Sequence, residues 1–451
     1  MTQKPRQIHL NAFLRNVGQH EAAWRLPETS VAAVTDIEHY RNLARIAERG
    51  KLDAIFFADH PVLKDRSQDR PWDSLDPFTL VTALSGVTTR IGLVATASTT
   101  YNDPYGVARR YATLDHVSQG RAGWNVVTTA NAEAAANFGF EHHPDPDARY
   151  ARAAEFLDVT LALWDSWEDN AIIGDKEGGV FVDPDAIRRI DHTGKHFNVA
   201  GPLEIPRSPQ GRPVIFQAGS SEPGKDLAAR YAEAIFTAQP IIEDAQAFYA
   251  DVKNRVKTYG RDPGRVLILP GLSFFIGGSE EEAQTLRNTF EDLTLPTYGL
   301  AQLARVTGID YSVHELDSLV KVPARAELEG NLKSRHDLVH RLTATEDLTL
   351  RQLLRRLSAG RGHRIATGTP EQVAATIIEW FENGAADGFN LIPPALPTSL
   401  ATFVDQVIPI LRSRGLFRED YEGTTLREHL GLDRPKVTRA TRSPFHAAAA
   451  E

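Results

Sequence analysis

Polar side chains follow the apolar, strand-like runs of this sequence at four places. They are Asp59 with His60, Thr96 to Thr100, Asn125 with Thr128, and Ser220 with Ser221. Hydroxyl and amide groups dominate the set, so it favours binding of a large heteroaromatic cofactor over hydrolysis. A metal-dependent hydrolase would have a His-x-His pair on its first strand and further His and Asp at later strand ends. Here His9 stands alone before the first run.

The segment AGSSEPG, residues 218–224, places two serines and a glycine before a predicted helix. Backbone N–H groups at a helix start, together with the hydroxyls of Ser220 and Ser221, form a site for a phosphate, to which Lys225 would add charge. The alternative is that Ser221 only caps the helix. The sequence contains neither GxGxxG nor GxxxxGKS/T, so it lacks the dinucleotide and nucleoside triphosphate fingerprints. A mononucleotide phosphate remains open.

Histidines offer chemistry at three further places. His20 follows the first strand and is either an active-site acid or hydrogen-bond donor, or a surface residue. The adjacent His142 and His143 do not converge easily on one ion, so we expect no metal there. His363 is either a helix-end cation or a pocket residue. The chain has no cysteine, which excludes disulfides, thiolate metal sites and cysteine nucleophiles.

Alternating strands and helices must position these residues. Eight strand-like runs lie within residues 9–14, 53–60, 90–99, 123–128, 214–220, 233–238, 266–277 and 388–393. Helices between them start at the caps Asp76-Pro77 and Asp103-Pro104 and at the capping box that begins with Thr369. This alternation predicts an α/β fold, a closed (β/α)8 TIM barrel, in preference to an open doubly wound sheet. Catalytic residues of such barrels lie at the carboxyl ends of the strands.

Two stretches, about 168–213 and 278–365, are too long for ordinary connections. We expect them to be insertions over the C-terminal mouth of a single TIM-barrel domain, residues 1–432, which a flexible tail follows at 433–451. In the second insertion, Arg305, His314 and Arg364 would favour an anionic substrate, or they are ordinary surface charges.

The composition excludes several classes of protein. The 451 residues are 42% hydrophobic and 24% charged, as in a globular protein with a large core. A net charge of -9 argues against a nucleic-acid-binding surface. No stretch approaches the roughly 18 consecutive apolar residues of a membrane span, and the N-terminus has no signal-peptide apolar core, so we expect a cytoplasmic protein.

Taken together, five segments closely resemble the bacterial-luciferase-like flavin monooxygenases. They are HLNAFL, FFADH, ATASTTYNDPYGVARRYATLDHVSQGRAGWNVVTT, QAGSSEPG and GTPEQVAATIIEWFENGAADGFNLIP. The similarity covers about residues 6 to 432 and is strongest to the branch of nitrilotriacetate monooxygenase component A and the dibenzothiophene-sulfone and long-chain alkane monooxygenases. It implies a TIM barrel that takes reduced FMN from a separate NAD(P)H:flavin reductase and oxidises a small organic substrate with O2 through a C4a-(hydro)peroxyflavin. It also implies a homodimer or homotetramer.

The resemblance also implies roles for individual residues. Carried over by position, the flavin contacts are Asp59, Thr96, Asn125, Tyr150 and Ser221, with Ser220 at the phosphate and Phe13 near the ring. His20 matches the active-site histidine of the family, a role for which we expect a pKa not far from neutral. The family usually has a histidine four residues before the matched tyrosine, where this chain has Pro146.

Two alternatives stay open. A deazaflavin F420-dependent oxidoreductase shares the barrel, although GWNVVT and AGSS favour FMN. A non-catalytic flavin-binding protein would also keep the fold; His20 and the polar strand ends argue against it, whereas Pro146 keeps it open.

Overall fold

Short apolar runs separated by amphipathic helices form the strands of this protein. The computed structural model describes residues 6–437 except 64–66, 73–74, 325–329, 359 and 361, with the side chains of 330–335 and 358 also left out. In chain order the strands are β1 (His9–Phe13), β2 (Ala54–Phe57), β3 (Gly92–Ser98), β4 (Ala122–Val127), β5 (Ile172–Asp175), β6 (Val180–Val182), β7 (His192–Thr193), β8 (Asn198–Val199), β9 (Val214–Gln217), β10 (Ala234–Thr237), β11 (Leu267–Ile276), β12 (Arg364–Gly368) and β13 (Gly388–Ile392).

The α-helices mostly follow the barrel strands and surround them. They are α1 (Ile37–Arg49), α2 (Pro77–Ser85), α3 (Pro104–Val117), α4 (Pro146–Trp164), α5 (Glu222–Tyr231), α6 (Ile242–Thr258), α7 (Glu280–Leu293), α8 (Pro296–Thr307), α9 (Gly330–Thr345), α10 (Leu350–Ser358), α11 (Pro370–Glu382), α12 (Thr398–Thr402), α13 (Ile408–Ser413) and α14 (Leu426–His429). None of the helices in the described part of the chain combines the length and apolar character that a membrane crossing requires.

The barrel closes through eight parallel strands in the order β1, β2, β3, β4, β9, β10, β11 and β13, with β13 pairing back to β1. These are the eight runs that the sequence predicts, so the (β/α)8 prediction is confirmed. A further parallel strand, β12, was not predicted and pairs with the upper half of β11. The reason is length: β11 has ten residues and β10 only four, so β11 extends beyond its neighbour and offers a free edge.

The two long connections have different contents. Residues 168–213 contain the hairpins β5–β6 and β7–β8. Residues 278–365 contain α7 to α10, and the expected boundary at 365 falls inside β12. Residues 438–451, most of the expected flexible tail, lie outside the described residues.

Aspartate caps followed by proline set the start of three helices behind the barrel mouth. The caps Asp76 and Asp103 start α2 and α3 as predicted, and Asp145 starts α4 in the same way. Each carboxylate accepts a hydrogen bond from a backbone N–H of the first turn, which would otherwise lack a partner. The first residue of each of these helices is therefore set by a local interaction.

The C-terminal segment closes the bottom of the barrel. Leu426, Leu430 and Leu432 join the interior side chains of the strands in one apolar cluster. Leu426 fits because β3 begins with Gly92, where an added Cβ would lie 2.4 Å from a Leu426 methyl group. The opposite end of the barrel, at the carboxyl ends of the strands, forms the mouth where side chains from several strands can meet.

Buried ion pairs fasten the same segment to the barrel. Arg418 contacts Asp53 at 2.5 Å, and His9 lies 3.1 Å from the same carboxylate. Burial opposes ionisation of Asp53, but Arg418 and His9 outweigh it and lower its pKa to about 2. Arg427 likewise contacts Glu233 at 2.5 Å. His9 therefore belongs to the ion pairs at the bottom of the barrel and not to the mouth.

Candidate active site

Thr96 and Asn125 are neighbours at the mouth, near the ends of β3 and β4. The strand register places them side by side, and the Asn125 amide nitrogen donates to the Thr96 hydroxyl at 2.8 Å. That hydroxyl donates to the Phe57 carbonyl at 2.7 Å. Both side chains are buried, and the Asn125 Oδ1 has no hydrogen-bond partner among the described residues. The pair presents one buried acceptor for a bound molecule.

An aromatic cluster inside the barrel contains Phe13, Phe56 and Phe236, which lie on β1, β2 and β10. The Phe13 ring contacts those of Phe56 and Phe236 edge-on, with centroids 5.4 and 5.3 Å apart. His363 stacks on Phe236 at 5.2 Å with only 4° between the rings. Its ring fits over β11 because residue 271 is glycine, where an added Cβ would lie 2.3 Å from the His363 Nδ1. Of the two places that the sequence leaves open for His363, this packing favours the pocket over a helix end.

Ser221 joins the starts of two helices. It caps α5, where its hydroxyl oxygen accepts from the Gly224 N–H at 3.3 Å, and it lies 3.3 Å from the hydroxyl of Tyr150 on α4. The Ser220 hydroxyl lies 3.2 Å from that of Thr237. The capping role and the phosphate role are compatible, because the first-turn N–H groups and the hydroxyls can face the same anion.

The positive charge near these hydroxyls does not come from Lys225. Its ammonium group lies 2.6 Å from Asp251 and also pairs with Glu222, so its charge is already balanced. Arg149, one residue before Tyr150, is buried and pairs with no carboxylate in the described part of the chain. The sequence analysis missed Arg149, although its place in the first turn of a helix beside a predicted contact was an available signal.

Gly18 determines where the loop after β1 carries His20. Its φ is +131°, and an added Cβ would lie 2.2 Å from the Pro394 carbonyl oxygen. The loop therefore packs directly on the segment after β13, where the His20 N–H donates to the same carbonyl at 3.2 Å. The backbone of His20 is therefore held against the segment that follows β13.

The imidazole of His20 lies away from solvent against α7. Its ring centroid is 5.0 Å from that of Phe290 and 6.3 Å from that of Phe275. Burial lowers its pKa to about 4, against the opposing effect of Glu21, so our expectation of a pKa near neutrality is wrong. Nδ1 accepts from the Ala22 N–H at 3.2 Å, which places the proton of the neutral ring on Nε2. This buried Nε2 has no partner among the described residues.

Glu21 and Arg70 form a second polar group beside His20. The Glu21 carboxylate lies 3.9 Å from the Arg70 guanidinium, and Arg70 donates to the Tyr298 hydroxyl at 3.2 Å. Burial raises the pKa of Glu21, while His20 and Arg70 oppose that rise. Nothing in the spacing of the sequence links these residues, because they come from the loops after two strands and from an inserted helix.

Other candidate residues take different places. Asp59 is half-buried directly after β2, and Pro146 is exposed at the first position of α4. Arg305 and His314 are exposed. Arg364 is the first residue of β12 and is half-buried. Within the described residues, no three His, Cys, Asp or Glu side chains are grouped to hold a metal ion.

These groups fit reduced FMN. The aromatic cluster suits a flat ring, and the Asn125 Oδ1 suits an N–H donor of that ring. The hydroxyls of Tyr150 and Ser221, with the start of α5, suit a phosphate. His20 lies on the α7 side of the mouth, apart from these pairs. Its Nε2 is free to donate to a ligand that enters there.

Comparisons with known proteins agree with this chemistry. Residues 19–387 match the model of a family described as luciferase-like monooxygenase. The chain is 47% identical to N-acetyl-S-(2-succino)cysteine monooxygenase of Bacillus subtilis (strain 168), over 96% of this chain and 99% of that protein. It is 46% identical to nitrilotriacetate monooxygenase component A of Aminobacter aminovorans, over 96% and 98%. The solved EDTA monooxygenase from Chelativorans sp. BNC1 superposes with a TM-score of 0.80 at 36% identity, over 96% and 100%.

Proposed function

This chain belongs to the luciferase-like monooxygenase family, and from that premise we propose how its own residues serve the reaction. The chain is an FMN-dependent monooxygenase, the oxygenase component of a two-component system. We assign reduced FMN to Phe13, Asp59, Thr96, Asn125, Tyr150, Ser220 and Ser221, and a catalytic role to His20. The observation that carries this assignment is the buried Asn125 Oδ1 beside Thr96, which needs a donor from a bound molecule.

Each end of the cofactor has its own set of groups. Phe13 and its aromatic neighbours would support the ring, and Asn125 would accept a hydrogen bond at its edge. Tyr150, Ser220 and Ser221 would hold the phosphate. When bound, reduced FMN supplies the electrons that activate O2. The protein supplies position and orientation.

His20 would act as a neutral hydrogen-bond donor. Because its Nδ1 accepts from the Ala22 N–H, the proton stays on Nε2 at neutral pH. The Nε2–H would donate to an oxygen atom at the reacting end of the site, and Phe275 and Phe290 would keep water away from it. A donor that stays neutral adds no charge to a site that must exclude water.

We propose a small carboxylate-bearing molecule as the substrate. The two curated relatives compared above act on N-acetyl-S-(2-succino)cysteine and nitrilotriacetate, which both carry several carboxylates. Arg70 could attract such a group: its positive charge acts on His20, its side chain is 13% exposed, and its guanidinium lies 3.9 Å from Glu21. We also propose a separate NAD(P)H:flavin reductase as partner, a homodimer or homotetramer, and a cytoplasmic location; the name component A supports the first of these.

The test is rapid mixing of the protein and reduced FMN with aerated buffer, followed through the flavin absorbance. We expect protein-bound flavin to reoxidise with a time course distinct from that of free FMN. His20→Ala should change this time course, whereas His314→Ala, which alters an exposed histidine, should not. Reoxidation at the free-solution rate with saturating protein would refute the proposal and favour F420 binding or a non-catalytic role.

A further inference from the structure

The Arg70 guanidinium lies near a buried carboxylate without forming a hydrogen bond to it. Its Nη1 is 3.9 Å from Oε1 of Glu21, which is beyond hydrogen-bonding distance. Its hydrogen bonds go instead to two neutral oxygens, the Pro71 carbonyl at 3.3 Å and the Tyr298 hydroxyl at 3.2 Å. Within the described residues no carboxylate is hydrogen-bonded to Arg70, so its charge is open to a carboxylate that arrives from outside.

Three separate elements bring this cluster together. Glu21 lies in the loop after β1, Arg70 in the loop after β2, and Tyr298 on α8 of the second insertion. The two loops are fastened to each other, since the Trp24 indole N–H donates to the Asp69 carbonyl at 3.2 Å. The Arg70 guanidinium also lies 5.7 Å from the centre of the Tyr298 ring. The inserted helix α8 therefore meets the loops of the mouth at Arg70.

The charges around Glu21 make its carboxylate easy to protonate. The residue is 8% exposed, and burial raises its pKa against the opposing effects of His20, Arg70 and Arg15. His20 is neutral at pH 7, because burial lowers its pKa to about 4. Arg287, on the neighbouring α7, is already paired with a carboxylate of its own helix. Among the remaining cations, Arg70 therefore has the largest effect in keeping Glu21 ionised.

A second carboxylate bound to Arg70 would change this balance. It would occupy the guanidinium and place a like charge beside Glu21, and two carboxylates that share a site do not both stay ionised. The ligand keeps its charge, because it gains charge-assisted hydrogen bonds from Arg70. Glu21 is buried and loses the attraction of Arg70 to the ligand, so it is the carboxylate that accepts a proton.

We propose that Glu21 and Arg70 select an anionic substrate by exchange: a substrate carboxylate binds the Arg70 guanidinium and the Tyr298 hydroxyl, and Glu21 takes up a proton from solvent. This inference rests on the proposed function, whose substrate class it deepens. No covalent bond of the substrate changes in this step, and the proton moves from the buffer to the Glu21 carboxylate. A neutral group at the same place leaves the Glu21–Arg70 pair unchanged. Glu21 is thus a specificity-determining residue that acts through Arg70.

Anaerobic calorimetric titration of the protein with reduced FMN, using tricarballylate as the probe, tests this exchange. The probe carries only carboxylates, which are ionised at pH 7, and no amine, so it takes up no proton itself. Titrations at pH 7 in buffers that differ in enthalpy of ionisation should show uptake of up to about one proton per bound probe. The neutral triamide of the same acid should bind at least about tenfold more weakly and take up none.

Variants separate the roles of the three side chains. Arg70→Gln should weaken tricarballylate binding roughly tenfold to a hundredfold and abolish the proton uptake. Tyr298→Phe should weaken binding about fivefold and keep the uptake. Glu21→Gln should abolish the uptake and strengthen binding about threefold, because no internal carboxylate then competes for Arg70. Arg305→Gln, which alters an exposed arginine on the same helix α8, is the matched control and should change neither quantity.

The opposite results are equally clear. Binding without proton uptake in wild type, or equal uptake in wild type and Glu21→Gln, would overturn the exchange. Wild-type protein that binds reduced FMN but not tricarballylate would also overturn it and leave the FMN assignment intact, whereas failure to bind reduced FMN would refute the proposed function itself. Should Arg70→Gln not fold, Arg70→Lys, which keeps the charge but loses the planar fork, must weaken binding.

Discussion

Asn125 presents a buried carbonyl oxygen that the described protein does not satisfy. A buried oxygen without a hydrogen-bond donor lowers the stability of the free protein by about 1–3 kcal/mol, and this loss is removed when a ligand donates to it. Asn125→Leu, which has similar volume, should therefore leave the unfolding midpoint unchanged or raise it, while weakening reduced FMN binding about tenfold. Urea unfolding together with flavin titration measures both quantities.

Thr96→Val provides the comparison for that variant. Its hydroxyl is already satisfied, because it donates to Phe57 and accepts from Asn125. Removing it leaves two partners unsatisfied, so this variant should lose stability, by about 1–3 kcal/mol. If Asn125→Leu loses as much stability as Thr96→Val, the Asn125 amide has a structural role and the assignment to the flavin fails.

The buried imidazole of His20 makes stability depend on pH. Its pKa is 6.5 in the unfolded chain and about 4 in the folded protein, so the unfolded state binds the proton first as the pH falls. The free energy of unfolding is therefore unaffected by this group above pH 6.5 and decreases from there to about pH 4. At pH 5 the loss should be about 2 kcal/mol.

Urea midpoints at pH 7.5 and pH 5 compare wild type with His20→Gln. The variant should lose less stability on acidification by the amount attributed to His20, and His314→Gln, which alters an exposed side chain, should follow wild type. The same pH sensitivity in His20→Gln and wild type would show that His20 is already protonated, or solvated, in the folded protein.

Single residues were predictable where a strand end fixes them. Thr96 and Asn125 follow from the rule that polar groups at the ends of parallel strands meet at the mouth. Arg149, Arg70 and His363 do not follow from it, since their places depend on tertiary contacts such as the stacking of His363 on Phe236. The pKa of His20 escaped prediction for the same reason, because burial decides it.

At the scale of elements, the eight barrel strands and several helix starts could be read from the sequence. The Asp-Pro caps of α2 and α3 act locally, so local sequence reveals them. Strand β12 could not be read, because it exists only through the unpaired upper half of β11. The closure of the barrel floor by α14 is also a long-range contact that no local pattern marks.

The apolar cluster that closes the bottom of the barrel should contribute to the stability of the protein but not to its affinity for the cofactor. Leu426 is fully buried against β3 and β4, so Leu426→Ala should lower the free energy of unfolding by about 2–5 kcal/mol. Its effect on the affinity for reduced FMN should be less than twofold, since it lies at the opposite end of the barrel from the mouth. Leu319→Ala, at 64% exposure, is the matched control. A large loss of FMN affinity in Leu426→Ala would mean that floor and mouth are coupled.

At the scale of the whole molecule, an oxygenase that receives reduced FMN from a separate reductase should be stabilised by reduced FMN and not by a nicotinamide. A chain that takes its cofactor from solution in the reduced form must bind that form in preference, and a ligand that binds only the folded state raises its stability by about 2.7 kcal/mol at a hundred times its Kd. The sequence has no GxGxxG fingerprint for a nicotinamide. In anaerobic calorimetry, reduced FMN should therefore raise Tm more than oxidised FMN does, and NADH should not raise it. Stabilisation by NADH, or equal stabilisation by both redox forms of FMN, would instead indicate a protein that reduces and retains its own flavin.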